Sequence, residues 1–510
     1  MKKLTTLALA AAMVMGAATC ASAIDFKAKG QWQFGFNVGD STMASKYNVG
    51  GERHHTDTKD IFGARQRVRL QLDAVASEAL SGTVFFEIGH QRWGQGGDSG
   101  AAMGADGMIV KVRQAYLDWV VPQTDLKIRM GIQNLSLPSA AGDGNVLDNT
   151  DTAAIVASYQ FNENVGATLM WARPYNDNFS KNGRTSYALD NIDLFMLSVP
   201  LTFDGVEVTP WVMYGMLGKN AFFSDKNSAG EEFGSTGINT SESLGNYPFG
   251  YDAEANHATH KGYGSMFWFG LPIKVTAFDP FNIELDINYG YVEKMGRYGV
   301  HNGYDATKDG LASTKREGWL VKALVEYKMD WGTPGIFGWY ASGDDKNIKN
   351  GSERMPYLYA EQKFTSMLGE DVAYTGGHTD MKLSLDGSWG IGLQVKDLSF
   401  VEDLKHTLRV AYYGGTNDAK MARYATAFTA NDLKTSTPWQ ANKRDLYLTD
   451  KDGILEFNVN SYYQIYENLK MGLELAYAVN MMDSDTWKYS GATYSKQDLW
   501  SADLTFTYSF

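Results

Sequence analysis

The sequence predicts an all-β fold, a transmembrane antiparallel β-barrel of sixteen to eighteen strands, and three observations carry that prediction. Segments in which apolar and polar residues alternate run along nearly the whole chain. The connections between them switch between short turns and long polar loops, and residues 500–510 alternate without a break to the aromatic Phe510. Successive side chains on a strand point to opposite faces, so each such segment has one apolar and one wet face. A barrel sets the first against lipid and the second against a water-filled lumen, and a terminal strand that pairs with the first strand closes it.

Taken in chain order, Lys2 and Lys3 precede an apolar run over residues 4–18, and Ala21-Ser22-Ala23 supplies a small-residue cleavage site. This is the pattern of a secretory signal peptide over 1–23, which leaves 24–510 as a single barrel domain. Cys20, the one cysteine, falls inside the removed piece, so no disulfide framework is expected. The first strand, 26–38, sets Phe26, Ala28, Trp32, Phe34, Phe36 and Val38 on one face and Lys27, Lys29, Gln31, Gln33 and Asn37 on the other. The second, 64–74, turns Val68, Leu70 and Leu72 outward and Arg65, Arg67, Arg69, Gln71 and Asp73 inward, a row of cations that a soluble core would not accept unpaired.

Further strands are expected at 83–91, 108–120, 126–134, 153–161, 165–173, 191–200, 206–216, 263–275, 282–293, 318–329, 335–342, 388–397, 405–415, 453–463, 470–480 and 498–510. Turn-formers such as Asn162-Glu163-Asn164, Asp204-Gly205 and Asp279-Pro280 make the short links. Long stretches rich in Gly, Asn, Asp, Ser and Lys lie between them, at 39–60, 92–107, 135–152, 174–190, 217–262, 294–317, 343–387, 416–452 and 481–497. Short turns at one end and long loops at the other are the outer-membrane pattern, turns periplasmic and loops outside. No apolar stretch after residue 23 is long enough for a membrane helix. The composition agrees, with 53 Gly and 29 Tyr in 510 residues, and a net charge of −13 argues against a nucleic-acid partner.

The candidate functional element is the loop after the fifth strand, which carries Asp143, Asp148 and Asp151. Folded into the barrel, these acids would face the cations Arg65, Arg67, Arg69, Arg113 and Arg129, and opposed charge across a narrow pore orients dipolar solutes and filters ions. With equal weight, the same arginines pair with Asp73, Glu87 and Asp118 on neighbouring strands and hold the wall together. Trp171, Trp211, Tyr289, Tyr291, Trp319, Tyr327, Tyr412 and Tyr477 lie near strand ends. Tyr289 and Tyr291 share parity with Ile283, Leu285 and Ile287, which favours an interfacial girdle over a sugar-binding track inside the lumen. Trp211 does not share that outward parity. The eight histidines show no metal spacing, no HExxH or GxSxG motif is present, and no enzyme activity, metal or cofactor is expected.

The stretch Val112-Arg113-Gln114-Ala115-Tyr116-Leu117-Asp118-Trp119, then a turn, then Lys127-Ile128-Arg129-Met130-Gly131-Ile132-Gln133 and Leu137-Pro138, resembles the segment leading into the constriction loop of Gram-negative general porins. The resemblance implies a homotrimer of barrels in the outer membrane, each with its own pore narrowed by the third loop. It maps the family's arginine cluster onto Arg65, Arg67, Arg69, Arg113 and Arg129 and its loop acids onto Asp143, Asp148 and Asp151. It also makes Phe510 a recognition signal for the outer-membrane assembly machinery. The expected function is passive diffusion of ions and small hydrophilic solutes; the alternatives are a substrate-selective sugar or anion channel and a non-conducting surface or structural barrel.

Overall fold

The computed structural model describes residues 24–39, 44–49, 52–55, 61–96, 101–104, 109–142, 144–176, 189, 191–218, 252–258, 262–300, 310–359, 364–367, 385–422, 447–486 and 493–510. Eighteen staves close one antiparallel barrel. In order they are Asp25–Gly39, Ile61–Ser77, Leu80–Arg92, Val110–Val120, Lys127–Leu135, Thr150–Gln160, Gly166–Asn176, Asn191–Ser198 continued as Leu201–Phe203, and Val206–Val208 continued as Trp211–Gly218. The second half comprises Tyr263–Val275, Phe281–Val292, Arg316–Tyr327, Thr333–Ala341, Ser388–Val401, Leu404–Gly415, Gly453–Tyr466, Leu469–Asn480 and Leu499–Ser509. Each of the eighteen segments read from the alternation lies on one of these staves. The eighth and ninth are interrupted at Pro200 and Pro210, which have no N–H to give a ladder.

Closure comes from the first and last staves, which pair in continuous register from Gln31 opposite Ser509 to Gly39 opposite Ser501. Phe510 extends this seam through backbone bonds in both directions with Gly30, at 2.9 and 3.0 Å. A side chain at Gly30 would stand 2.8 Å from the Phe510 ring, so the seam requires glycine there. No described helix is long and apolar enough to cross a membrane. The outer surface is instead an apolar band built by strand alternation: Trp32, Leu72, Leu117, Ile132, Phe195, Leu393, Val459 and Leu475 are all exposed. The girdle aromatics Trp171, Trp319, Tyr327, Tyr412 and Tyr477 belong to this outer surface as well.

Inside, one side of the barrel is filled. Trp211, Met213, Met266, Trp268, Leu320, Phe337 and Trp339 point inward and form a buried cluster with Leu137, Ala141, Val146 and Leu147, which come from a loop rather than a stave. Large inward rings fit because each lies over a glycine on the neighbouring stave. Trp211 is opposite Gly270 and Trp339 opposite Gly390, and a side chain at either glycine would meet the indole at 2.1 and 2.4 Å.

Candidate functional site

The loop that fills this side is the one after the fifth stave. It leaves the wall at Leu135, crosses the lumen and returns at Thr150, and it is held at its far point by the eleventh and twelfth staves. There Asp286 Oδ2 accepts the Ser139 hydroxyl and the Ala140 and Ala141 backbone N–H groups, each at 2.9 Å. Lys322 Nζ lies 3.3 Å from the same oxygen and donates to Ser139 Oγ at 3.1 Å and to the Gly142 and Gly144 carbonyls. Both charged side chains are fully buried. The arrangement is a concave nest of backbone N–H groups around a carboxylate, with an ammonium taking the turn's carbonyls. Trp211, the aromatic out of step with the girdle parity, is 1% exposed and donates its indole N–H to Pro138 O at 3.1 Å.

A second loop, within the long polar stretch 343–387, also turns inward after the thirteenth stave. The Leu358 and Tyr359 N–H groups donate to Val146 O and the Asp148 N–H to Tyr359 O, so the two loops share a short stretch of ladder. Trp268 donates to Pro356 O at 2.9 Å, and further on Phe364 stacks on Phe337 and Trp339 at 5.3 and 5.4 Å. Met367 N–H reaches Glu456 Oε1 at 2.9 Å on the sixteenth stave. Asp286 and Lys322 had a faint signature in the sequence: each is a charge at an inward position between apolar neighbours. The partner that makes them an anchor lies about 140 to 180 residues away, beyond the reach of any local pattern.

The opposite wall is the arginine row. Arg65, Arg67 and Arg69 occupy alternate positions of the second stave, which spaces them by about 6.6 Å, and Arg67 donates to Gln33 Oε1 at 2.6 Å. Arg69 pairs with Glu87 directly across the strand at 3.0 Å, and Arg113 reaches the same carboxylate at 3.4 Å. Arg113 also binds Asp151 at 2.6 Å, where Gln114 joins at 2.8 Å. Both neighbours can face inward because the fourth stave carries a bulge at Arg113 against Phe85 and Phe86. Lower down, Arg129 makes a two-pronged pair with Asp118, at 2.7 and 2.9 Å, beneath a cation–π contact with Tyr116. Water still reaches this wall: the Arg69, Arg113 and Arg129 side chains keep 21%, 22% and 42% of their surface.

Of the residues read from the sequence, the structure therefore gathers Arg69, Arg113 and Asp151 around Glu87, sets Arg65 and Arg67 above them and Arg129 below. Asp151 belongs to the sixth stave rather than to the loop, and it meets the arginines as a wall residue. Asp148 sits where the two loops meet. Asp143 and the leader over 1–23 lie outside the described residues. Glu87 and Asp118 take the wall-pairing role, whereas Asp73 accepts from Gln71 and Thr83 instead of an arginine. No group of three or more metal-ligating side chains occurs among the described residues.

No family model matches the chain, and no curated protein matches its sequence. Solved structures similar to it include OccK11 (OpdR) of Pseudomonas aeruginosa, 11% identical with a TM-score of 0.46, over 95% of this chain and 96% of that one. OccAB2 of Acinetobacter baumannii is 11% identical with a TM-score of 0.48, over 96% and 99%. A BenF-like porin from Pseudomonas fluorescens Pf-5 is 8% identical with a TM-score of 0.48, over 96% and 100%. The closed barrel itself rests on the strand pairing described above.

Proposed function

We propose that the chain is an outer-membrane channel through which ions and small hydrophilic solutes diffuse passively, and that among them it favours anions. The observation that carries this reading is the asymmetry of the lumen: two inward loops cover one wall, while water reaches Arg69, Arg113 and Arg129 on the other. The partly exposed guanidiniums of Arg69, Arg113 and Arg129 offer an anion successive donors along this wall, so it can move without losing one partner before meeting the next. A sugar-selective track has less support, since the inward Trp211, Trp268 and Trp339 are buried beneath the loops and present no open ring face. No catalytic step is part of the reading. Assembly as a homotrimer, and Phe510 as an assembly signal, follow the resemblance to the general porins.

Purified protein in a planar bilayer tests the proposal. Discrete conductance steps are expected, with a reversal potential in a KCl gradient displaced toward chloride. Absence of conductance would favour the structural-barrel reading, and a cation-displaced potential would remove the anion preference. Heating in SDS checks the trimer, which should persist until heated. Deleting Phe510 should slow insertion while leaving the conductance of inserted channels unchanged; normal insertion would return Phe510 to an ordinary seam residue.

A further inference from the structure

The outer surface of the barrel carries a feature that pore function does not require. Across the sixth to tenth staves the apolar band is indented into a groove of about 500 Å³ lined by Ile155, Leu169, Phe195, Leu197, Val212 and Phe267. A second cavity of about 410 Å³ shares Ile155 and Trp171 with it and leads to Arg173 and Asn176 at the long-loop end. Volumes of this size fall in the roughly 300–1,000 Å³ range of small-molecule sites.

At that end the outward face turns polar. Arg173 donates through Nε and Nη2 to Asp193 at 2.8 and 3.0 Å, and the Trp171 indole N–H donates to the same carboxylate at 3.0 Å. Asn191 Nδ2 adds a third donor at 2.6 Å, and the Tyr263 hydroxyl donates to Asn191 Oδ1 at 3.2 Å. The Arg173 side chain keeps 39% of its surface, and its hydrogen bonds among the described residues run through Nε and Nη2, not Nη1. An ion pair on the lipid face is tolerated near the membrane interface and costly at the midplane, so this cluster marks headgroup level.

We propose that the groove is a binding site for a phosphate-bearing lipid of the leaflet at the long-loop end, one acyl chain lying in the groove and the phosphate meeting Arg173 Nη1. The inference rests on the membrane reading above and is independent of what the pore conducts. The Arg173 donor at the end of the groove selects this occupant over a second copy of the chain, because a phosphate brings an acceptor to it. Hydrocarbon already surrounds the band, so transfer of an acyl chain from bulk lipid into the groove gains little by itself. The charge-assisted bond to the phosphate therefore supplies the preference, and Arg173 is the residue that decides it.

Native mass spectrometry of the detergent-solubilised full chain, titrated with dioleoyl phosphatidylglycerol or with diolein, tests this. One phosphatidylglycerol per chain should be retained under conditions that strip diolein. Ala157→Trp, which fills the groove, and Arg173→Gln should each lower that occupancy at least fivefold, with conductance unchanged. Val212→Phe and the double variant Arg173→Gln/Asp193→Asn serve if the first pair fails to insert. Equal retention of diolein, or unchanged occupancy in the arginine variants, overturns the phosphate contact. Unchanged occupancy in the filled variants, or a change of oligomeric state in its place, overturns the groove. Conducting channels that bind no lipid overturn the site alone, whereas protein that neither inserts nor conducts overturns the membrane reading.

Discussion

The two walls of the lumen use charge in opposite ways. On the second to sixth staves Arg69, Arg113 and Arg129 pair with carboxylates on neighbouring strands and stay partly wet, Arg129 at 42% exposed, whereas Arg65 is buried. On the eleventh and twelfth staves Asp286 and Lys322 are dry and spend their hydrogen bonds on a loop that has crossed the pore. A hydrated pair contributes about 0–1 kcal/mol and can exchange partners. A buried pair resists separation, since removing one member strands the other and costs about 3–5 kcal/mol. The first wall is thus open to water, and the dry one holds the loop that crosses the lumen.

The most direct way to break this contrast is Lys322→Met, which leaves Asp286 buried and unpaired. A loss of about 3–5 kcal/mol is expected, together with larger and noisier single-channel conductance as the loop leaves the wall. The double variant Lys322→Met/Asp286→Leu should relieve the stranded charge but restore neither the full stability nor the quiet current, because the Ala140 and Ala141 N–H groups lose their acceptor. An unchanged melting temperature in the single variant would show that the loop is held elsewhere. On the wet wall, replacing Arg65, Arg67 and Arg69 together with Ser should move the reversal potential toward cations, at a stability cost above the roughly 0–1 kcal/mol of an exposed pair, because Arg65 and Glu87 are buried. An unmoved potential would take the row out of the conduction path.

Trp211→Phe separates anchoring by the indole N–H from packing by the ring. Losing the bond to Pro138 O should cost about 0.5–1.5 kcal/mol, read by thermal unfolding, with a modest rise in current noise. The last expected effect concerns pH. In the second inward loop, burial, with Asp344 and Asp345 nearby, pushes the Glu353 carboxyl up from its ordinary 4.5 to about 7, against the N–H of Asp345, which favours the charged form. A raised carboxyl favours the protonated fold, so this contribution is complete below about 4.5, declines as pH rises to about 7, and is flat above. Melting followed across that window should lose its slope in Glu353→Gln; an equal slope in both proteins would assign it to another group.

Much of this was legible locally. Alternation located every stave because a strand's two faces meet different solvents, and that rule acts residue by residue along 26–38 or 470–480 as readily as at the C-terminal strand. Parity also singled out Trp211, whose inward position follows from the same rule. The row of Arg65, Arg67 and Arg69 was readable for that reason, and Arg129 with Asp118 is a direct cross-strand pair across a short turn. The bulge that brings Arg113 and Gln114 to one carboxylate was not, since an extra residue leaves no mark on composition. The polar surroundings of Asp151 read as loop, although its backbone completes a ladder with Asn134.

By itself, then, the sequence determined the barrel, its strand positions, the outward apolar band and the inward cation row, all of which depend on the period of the chain and the chemistry of adjacent residues. Only the tertiary structure decided which wall is covered. The bonds of Asp286 and Lys322 to residues 139–144, the ladder between Val146 and Tyr359, and the rings seated over Gly270 and Gly390 join segments far apart in the chain. Such contacts arise from closure of the sheet, which brings distant faces across a common lumen, and no local periodicity encodes them.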